Sequence, residues 1–241
     1  MFFARGRSGP VQWGFTDRQG GVSAGDFGSL NLGGHVGDDP EAVEANRSRV
    51  AQAVGVERDH LLFLQQCHGN DVLLVDGPWG PEGPPPADGV VTTTPGLALA
   101  ALVADCTPVL LADPEAGVVA AVHAGRPGMT ARIVDVAVDR MRDLGARRLL
   151  AVVGPSVCGR CYEVPLEMRS AAADVAPESA AVSWVGTPAI DVASGVVAQL
   201  HAKDVAVQWI SGCAREESSL YSYRRDGRTG RFAGVVVLDA A

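Results

Sequence analysis

Short apolar runs crowd the middle of the chain at 90–94, 97–103, 109–112 and 118–122, and another follows at 149–153. They are rich in Val, Leu and Ala, too short for helices, and mostly lack the alternation of a strand with one wet face. Strands of that kind are buried on both faces, which requires cover above and below the sheet. The cover is legible in the same chain. Asp39-Pro40 opens a helix with Val43, Val50 and Val54 at helical spacing, and Gly55 stops it. Further helices are expected at 130–144, 166–175 and 189–203, the last begun by Asp191. Strands at 205–210 and 234–238 complete the set, and 61–64 forms a strand for which 71–75 is the hairpin partner or continuation. Residues 77–89, with five prolines, read as a surface loop rather than a linker, because the flanking pieces are too short for two cores. The expectation is α/β: one domain over 1–241, a layered α/β sandwich with helices on both sides of a central mixed sheet.

A formal charge of -8 gives no basic excess to release counterions from phosphate backbones, so neither nucleic acid nor an anionic membrane is expected as partner. No apolar run is long enough to span a bilayer. The five cysteines, at 67, 106, 158, 161 and 213, follow no disulfide framework, and the N-terminus lacks a signal peptide's apolar core. Reduced thiols in the cytoplasm are expected.

Chemistry concentrates in three segments that follow strand-like runs: Gln66-Cys67-His68-Gly69, Ala104-Asp105-Cys106-Thr107-Pro108 and His123-Ala124-Gly125. Two imidazoles and a thiolate are the donors of a catalytic zinc that keeps a fourth position open, with copper as competitor. Two other readings fit the same residues. Cys106 and His123 are a nucleophile and its base, with Asp105 or Gln66 orienting the imidazole or supporting an oxyanion; or they are a buried thiol and a satisfied core histidine. Cys158-Gly159-Arg160-Cys161 has the form of half a zinc site or a redox pair, against a loop of unpaired thiols. The stretch from Tyr221 to Arg231 combines tyrosines with four arginines, a phosphate-binding composition or a solvated turn. Phosphate loops, dinucleotide fingerprints and the zinc-deaminase signature are missing. His35, His60 and His201 are assigned no chemistry.

Nine motifs, in order, resemble the YfiH-type laccase-domain proteins, also called multicopper polyphenol oxidoreductases and now regarded as purine nucleoside phosphorylases. They are Gly20-Gly21-Val22-Ser23, Ser29-Leu30-Asn31-Leu32-Gly33, Asn46-Arg47, Gln66-Cys67-His68-Gly69, Ala104-Asp105-Cys106-Thr107-Pro108, His123-Ala124-Gly125, Gly154-Pro155, Cys161-Tyr162-Glu163-Val164 and Ser222-Tyr223-Arg224-Arg225. The resemblance implies a fold like that of the Cys-His toxin deamidases and zinc on His68, Cys106 and His123. It implies Cys106, His123 and Arg47 as the catalytic set, and substrate contacts from Ser29, Asn31, Arg47, Tyr223 and Arg224. The implied reaction is phosphorolysis of adenosine, inosine, guanosine or methylthioadenosine to free base and ribose 1-phosphate, with adenosine deamination beside it. The chain departs from the family at Arg126-Pro127, where Trp-Arg is usual, at Cys67 and at Cys158. A copper-dependent polyphenol oxidase, which the older name implies, sits poorly with five histidines. A non-enzymatic envelope or division protein with a relict site is the third reading.

Overall fold

Hydrophobic runs with two dry faces do form the centre of the molecule, but in two sheets rather than one. The structure, a computed structural model, describes residues 1–239. The first sheet contains β1 (Phe2–Ser8), β2 (Val11–Thr16), β3 (Leu61–Phe63), β6 (Ala98–Val103) and β13 (Phe232–Leu238), in the order β1-β2-β13-β6-β3. The second contains β4 (Val72–Leu74), β5 (Gly89–Thr92), β7 (Thr107–Asp113), β8 (Val118–Ala124), β9 (Leu150–Val153) and β12 (Ala206–Trp209), in the order β12-β9-β7-β8-β5-β4. A hairpin of β10 (Ala180–Val182) and β11 (Pro188–Ile190) stands apart.

The sheets pack face to face. Phe15, Leu99, Ala101 and Val236 of one meet Leu110, Ala112, Val119 and Ala121 of the other. The alternate residues of the same strands face outward and are also buried. Ala98, Ala100, Val235 and Val237 lie under α1 (Pro40–Val54), with Val50 and Ala51. Val109, Leu111, Val118 and Ala120 lie under the helical layer built from α2 (Arg126–Thr130), α3 (Ile133–Asp143), α4 (Leu166–Val175) and α5 (Val192–Ala202). Both faces of the central strands β6, β7, β8 and β13 are therefore dry, which is why those strands show no hydropathy alternation, while the edge strands β1, β4 and β12 remain partly exposed. The expected layered α/β sandwich is present, with its β layer doubled.

Local signals act as expected at several ends. Asp39 accepts the Glu41 amide and Gly55, at φ 78°, ends α1. Asp191 caps α5 by accepting the Ser194 amide, but 188–190 before it is strand, so this helix starts later than the sequence suggested. The helix expected at 130–144 is present as α3 but starts at Ile133, after Arg132 in a left-handed conformation (φ 57°); α2 before it ends at Thr130. Residues 71–75 do not pair with 61–64: β4 runs parallel to β5 in the other sheet. No helix among the described residues is long and apolar enough to cross a membrane.

Candidate metal centre and cavity

Strand register brings the three ligand candidates to one end of the sandwich. β3 and β6 are parallel, so the segments leaving them, which carry His68 and Cys106, emerge side by side. Cys106 lies in the link that carries the chain from β6 to β7, from one sheet to the other. β7 and β8 are antiparallel, with Pro108 opposite His123, so the start of β7 meets the end of β8. The donor atoms of His68, Cys106 and His123 all lie within 4.8 Å of one another. Cys106 Sγ is 3.8 Å from His68 Nε2, and the two imidazoles meet edge to face with centroids 4.8 Å apart. Gly125 permits this convergence, since a Cβ there would stand 2.9 Å from His68 Cδ2 and 3.1 Å from Cys106 Sγ.

Asp88, absent from the sequence reading, organises the centre. It lies just before β5, is fully buried, and accepts the amides of Cys67 (3.1 Å), His68 (2.9 Å) and Gly69 (2.6 Å). Its Oδ1 is 2.7 Å from His123 Nδ1, which leaves Nε2 as the ring nitrogen available to a ligand. A carboxylate behind a histidine in this way fixes its tautomer and orientation. Burial alone would raise the Asp88 carboxyl, but hydrogen bonds from His123, Cys67 and Gly69 prevail and hold it far below the usual carboxylate range. Burial also opposes ionisation of Cys106 and His123. Each is nevertheless driven toward its charged form, Cys106 by the two imidazoles and His123 by Cys106 and Asp88. Two imidazole nitrogens and a cysteine sulfur converging this closely fit a thiophilic divalent metal, a class that includes zinc and copper.

Asp105 and Gln66 do not orient the imidazole. Asp105, at φ 103°, accepts Ser222 Oγ (2.6 Å) and the Arg224 amide (2.6 Å), tying Ser222-Tyr223-Arg224 to the Cys106 link. Gln66 exchanges hydrogen bonds with the backbone of Leu102 at 2.8 Å in both directions, extending the β3–β6 pairing. His68, at φ 62°, is the other left-handed residue of the centre. Non-glycine residues in that region carry strain and gather at functional sites.

The triad lies in the wall of a cavity of about 800 Å³. Arg47, Arg126, Arg224 and Arg231 line it with Tyr162, Tyr223 and His35. Arg47 comes from α1; its Nε donates to the Leu32 carbonyl (3.0 Å) and its guanidinium stacks 4.2 Å from the Phe63 ring centroid. Burial, aided by Arg58, lowers its pKa to about 10, which leaves it cationic at neutral pH. Arg224 lies 5.0 Å over Tyr162. Pro127 occupies the first turn of α2, where its ring is tolerated, so the Arg126-Pro127 departure places an arginine in the lining without breaking the helix. His35, given no role from sequence, is also in the lining.

Two expected substrate contacts are not in the lining. Asn31 is fully buried; its Oδ1 accepts the amides of Gly33 (2.9 Å) and Arg231 (2.8 Å), and its Nδ2 donates to Asp38 (2.9 Å). Ser29 Oγ accepts the Gly21 amide (3.1 Å) and donates to the Arg18 carbonyl (3.0 Å). Asn31 thus holds the backbone at Arg231, and Ser29 holds the 18–21 turn. The four arginines at 224, 225, 228 and 231 also separate: Arg225 donates to the carbonyls of Ala214, Arg215, Glu217 and Leu220, while Arg228 stacks on Phe27.

Fold and site define a layered α/β protein with an open centre of two histidines and one cysteine in an arginine-lined cavity. Residues 12–239 match the model of the multi-copper polyphenol oxidoreductase laccase family, and the chain belongs to that family. It is 56% identical over 237 residues to purine nucleoside phosphorylase ORF3 of Streptomyces griseus, covering 96% of each chain. It is 44% identical over 238 residues to a protein of the same activity name from Corynebacterium glutamicum, again covering 96% of each. Among solved structures, Neisseria meningitidis protein NMB0706 superposes with a TM-score of 0.86 at 32% identity over the full length of both chains. Bacillus licheniformis YfiH gives 0.86 at 28% identity, covering 95% of this chain and 93% of that one.

Proposed function

We propose that this chain is a zinc-dependent purine nucleoside phosphorylase that converts adenosine, inosine, guanosine or methylthioadenosine and phosphate to free base and a ribose 1-phosphate, with adenosine deamination as a second activity. The observation that carries the reading is the placement of the triad and four guanidinium groups in one cavity, of a size that holds a nucleoside and phosphate together. The activity named for the Streptomyces and Corynebacterium relatives supports it.

The glycosidic C–N bond breaks as an oxygen of hydrogen phosphate bonds to the anomeric carbon, and the proton that the phosphate gives up passes to the leaving base; the sugar passes through an oxocarbenium-like state. Arg47, with Arg224 and Arg231 around it, holds the phosphate dianion and orients it toward the sugar, the role for which planar forked donors suit best. Tyr162 and Tyr223 offer aromatic faces to the purine. Asp88 keeps His123 in one tautomer, and His68, Cys106 and His123 would hold the metal. When bound there, zinc supplies Lewis acidity toward a substrate or water oxygen.

The test is product analysis after incubation of adenosine with and without phosphate, alongside metal content, for the wild type and Cys106→Ala. Adenine and ribose 1-phosphate formed only with phosphate, and lost with the metal in the variant, are expected. Phosphate-independent turnover of a phenol with copper bound would instead establish the oxidase, and metal-free protein inert to purines would sink the reading.

A further inference from the structure

Beyond the catalytic centre, a second group of soft donors converges. Cys158 and Cys161 meet Cys213 and Glu216, with all four ligating atoms within 4.8 Å of one another. From the geometry we infer that this cluster is a second metal site, a tetrahedral thiolate-rich site of the zinc class that staples the Cys158–Cys161 turn, which flanks the cavity wall, to the Cys213–Glu216 turn behind it.

The backbone is arranged as two matched chelating turns. In one, the Cys161 amide donates to the Cys158 carbonyl at 2.9 Å; in the other, the Glu216 amide donates to the Cys213 carbonyl at 3.0 Å. Each turn presents two donors three residues apart, the spacing that the C-x-x-C half of structural zinc sites uses. The turns are held against each other by a parallel bridge between Ser156 and Cys213, with the Ala214 amide donating to the Ser156 carbonyl at 2.9 Å. The Cys158 amide points at Cys213 Sγ at 3.4 Å, an N–H···S contact that supports a thiolate.

Burial separates this cluster from an accidental group of thiols. Cys161 and Cys213 are 3% and 7% exposed, and Cys158 is half-buried. Glu216 approaches from the solvent side and places Oε1 3.2 Å from Cys161 Sγ, where the Trp184 indole N–H also reaches it at 3.2 Å. With its ligating oxygen within 4.8 Å of all three sulfurs, the Glu216 carboxylate completes a set of four donors. Three thiolates select a soft, tetrahedral ion over calcium or magnesium.

The location gives the site a consequence. Val157 and Tyr162, which flank the Cys158–Cys161 turn, line the catalytic cavity, and the Val157 amide donates to the Asp105 carbonyl at 2.9 Å, one residue from Cys106. Occupancy of the second site fixes that wall relative to the first.

Cobalt titration of reduced, metal-stripped protein tests the inference without depending on activity. The wild type is expected to bind two equivalents, with sulfur-to-cobalt charge-transfer intensity showing three thiolates besides Cys106. Cys106→Ala should retain one equivalent with the three-thiolate intensity, and Cys161→Ser should lose that component and keep a one-thiolate site. Saturation of the wild type at one-thiolate intensity overturns the proposal even if neither variant folds. A disulfide among Cys158, Cys161 and Cys213, found by mass spectrometry in protein kept under reductant, overturns it as well. Because Cys106→Ala carries only the second site, failure of the catalytic reading leaves this result separately readable.

Discussion

At the scale of single residues, Asp88 and Arg47 are the positions at which the proposed function is most directly tested. Asp88→Asn replaces a carboxylate that serves three amides and His123 Nδ1 with a group that presents an N–H to at least one of those donors. Loss of such a partner behind a metal-bound histidine costs about 10- to 100-fold in metal affinity, so chelator competition should find zinc held that much more weakly in Asp88→Asn. Arg47→Lys keeps the charge but loses the fork and the stacking on Phe63. A hydrogen bond to a charged group is worth roughly 1.5–3 kcal/mol, so KM for phosphate should rise on the order of 10- to 100-fold while the metal content stays that of the wild type. An unchanged KM would remove Arg47 from the phosphate site. The three members of the triad were legible in sequence because unusual residue types follow apolar strands, whereas Arg47, inside α1, was singled out only through the family resemblance. Asp88 was not legible, since one aspartate after a proline-rich loop carries no local sign of the five donors that the fold turns toward it.

Among elements, the junction of β7 with the β8 and β9 connections depends on Asp113. Its Oδ1 accepts the amides of Glu115 and Ala116, each at 3.0 Å, and its Oδ2 those of Arg147 (2.6 Å) and Arg148 (2.8 Å). Burial opposes the charge, but these four donors prevail and the carboxyl pKa is lowered. The contribution is therefore fully present above the ordinary aspartate value and is lost as pH falls through the lower folded value. Asp113→Asn turns N–H toward N–H and should cost about 1–3 kcal/mol in urea unfolding at neutral pH, with a smaller gap from the wild type in strong acid. The ends of α1 were legible from the Asp39 side-chain cap and the left-handed Gly55, and the Asp191 cap marks the start of α5 although the sequence suggests a start at 189. The start of α3 at Ile133 was not legible, because the left-handed conformation of Arg132 before it has no signal in residue type or spacing.

For the whole molecule, the shared core between the sheets predicts a single folding unit. Phe15 is fully buried there, and Gly154 and Gly234 lie against its ring so closely that a Cβ at either would fall 2.3 and 3.0 Å from Cε1. Phe15→Ala should cost about 3–5 kcal/mol, and calorimetry of either protein should give one thermal transition; two resolved transitions would contradict a single domain. The sequence by itself determined that the central strands are dry on both faces, which residues can ligate a soft metal, and where capped helices begin and end, because each of these is fixed by local residue type and spacing. Only the tertiary structure decided that the strands divide into two sheets, that β4 leaves β3 for the other one, that Asp88 stands behind His123, and that Cys213 and Glu216 meet a C-x-x-C turn more than fifty residues away. Hydropathy records whether a strand face is dry, not which neighbour makes it so, and donors brought together by register leave no trace in the spacing along the chain.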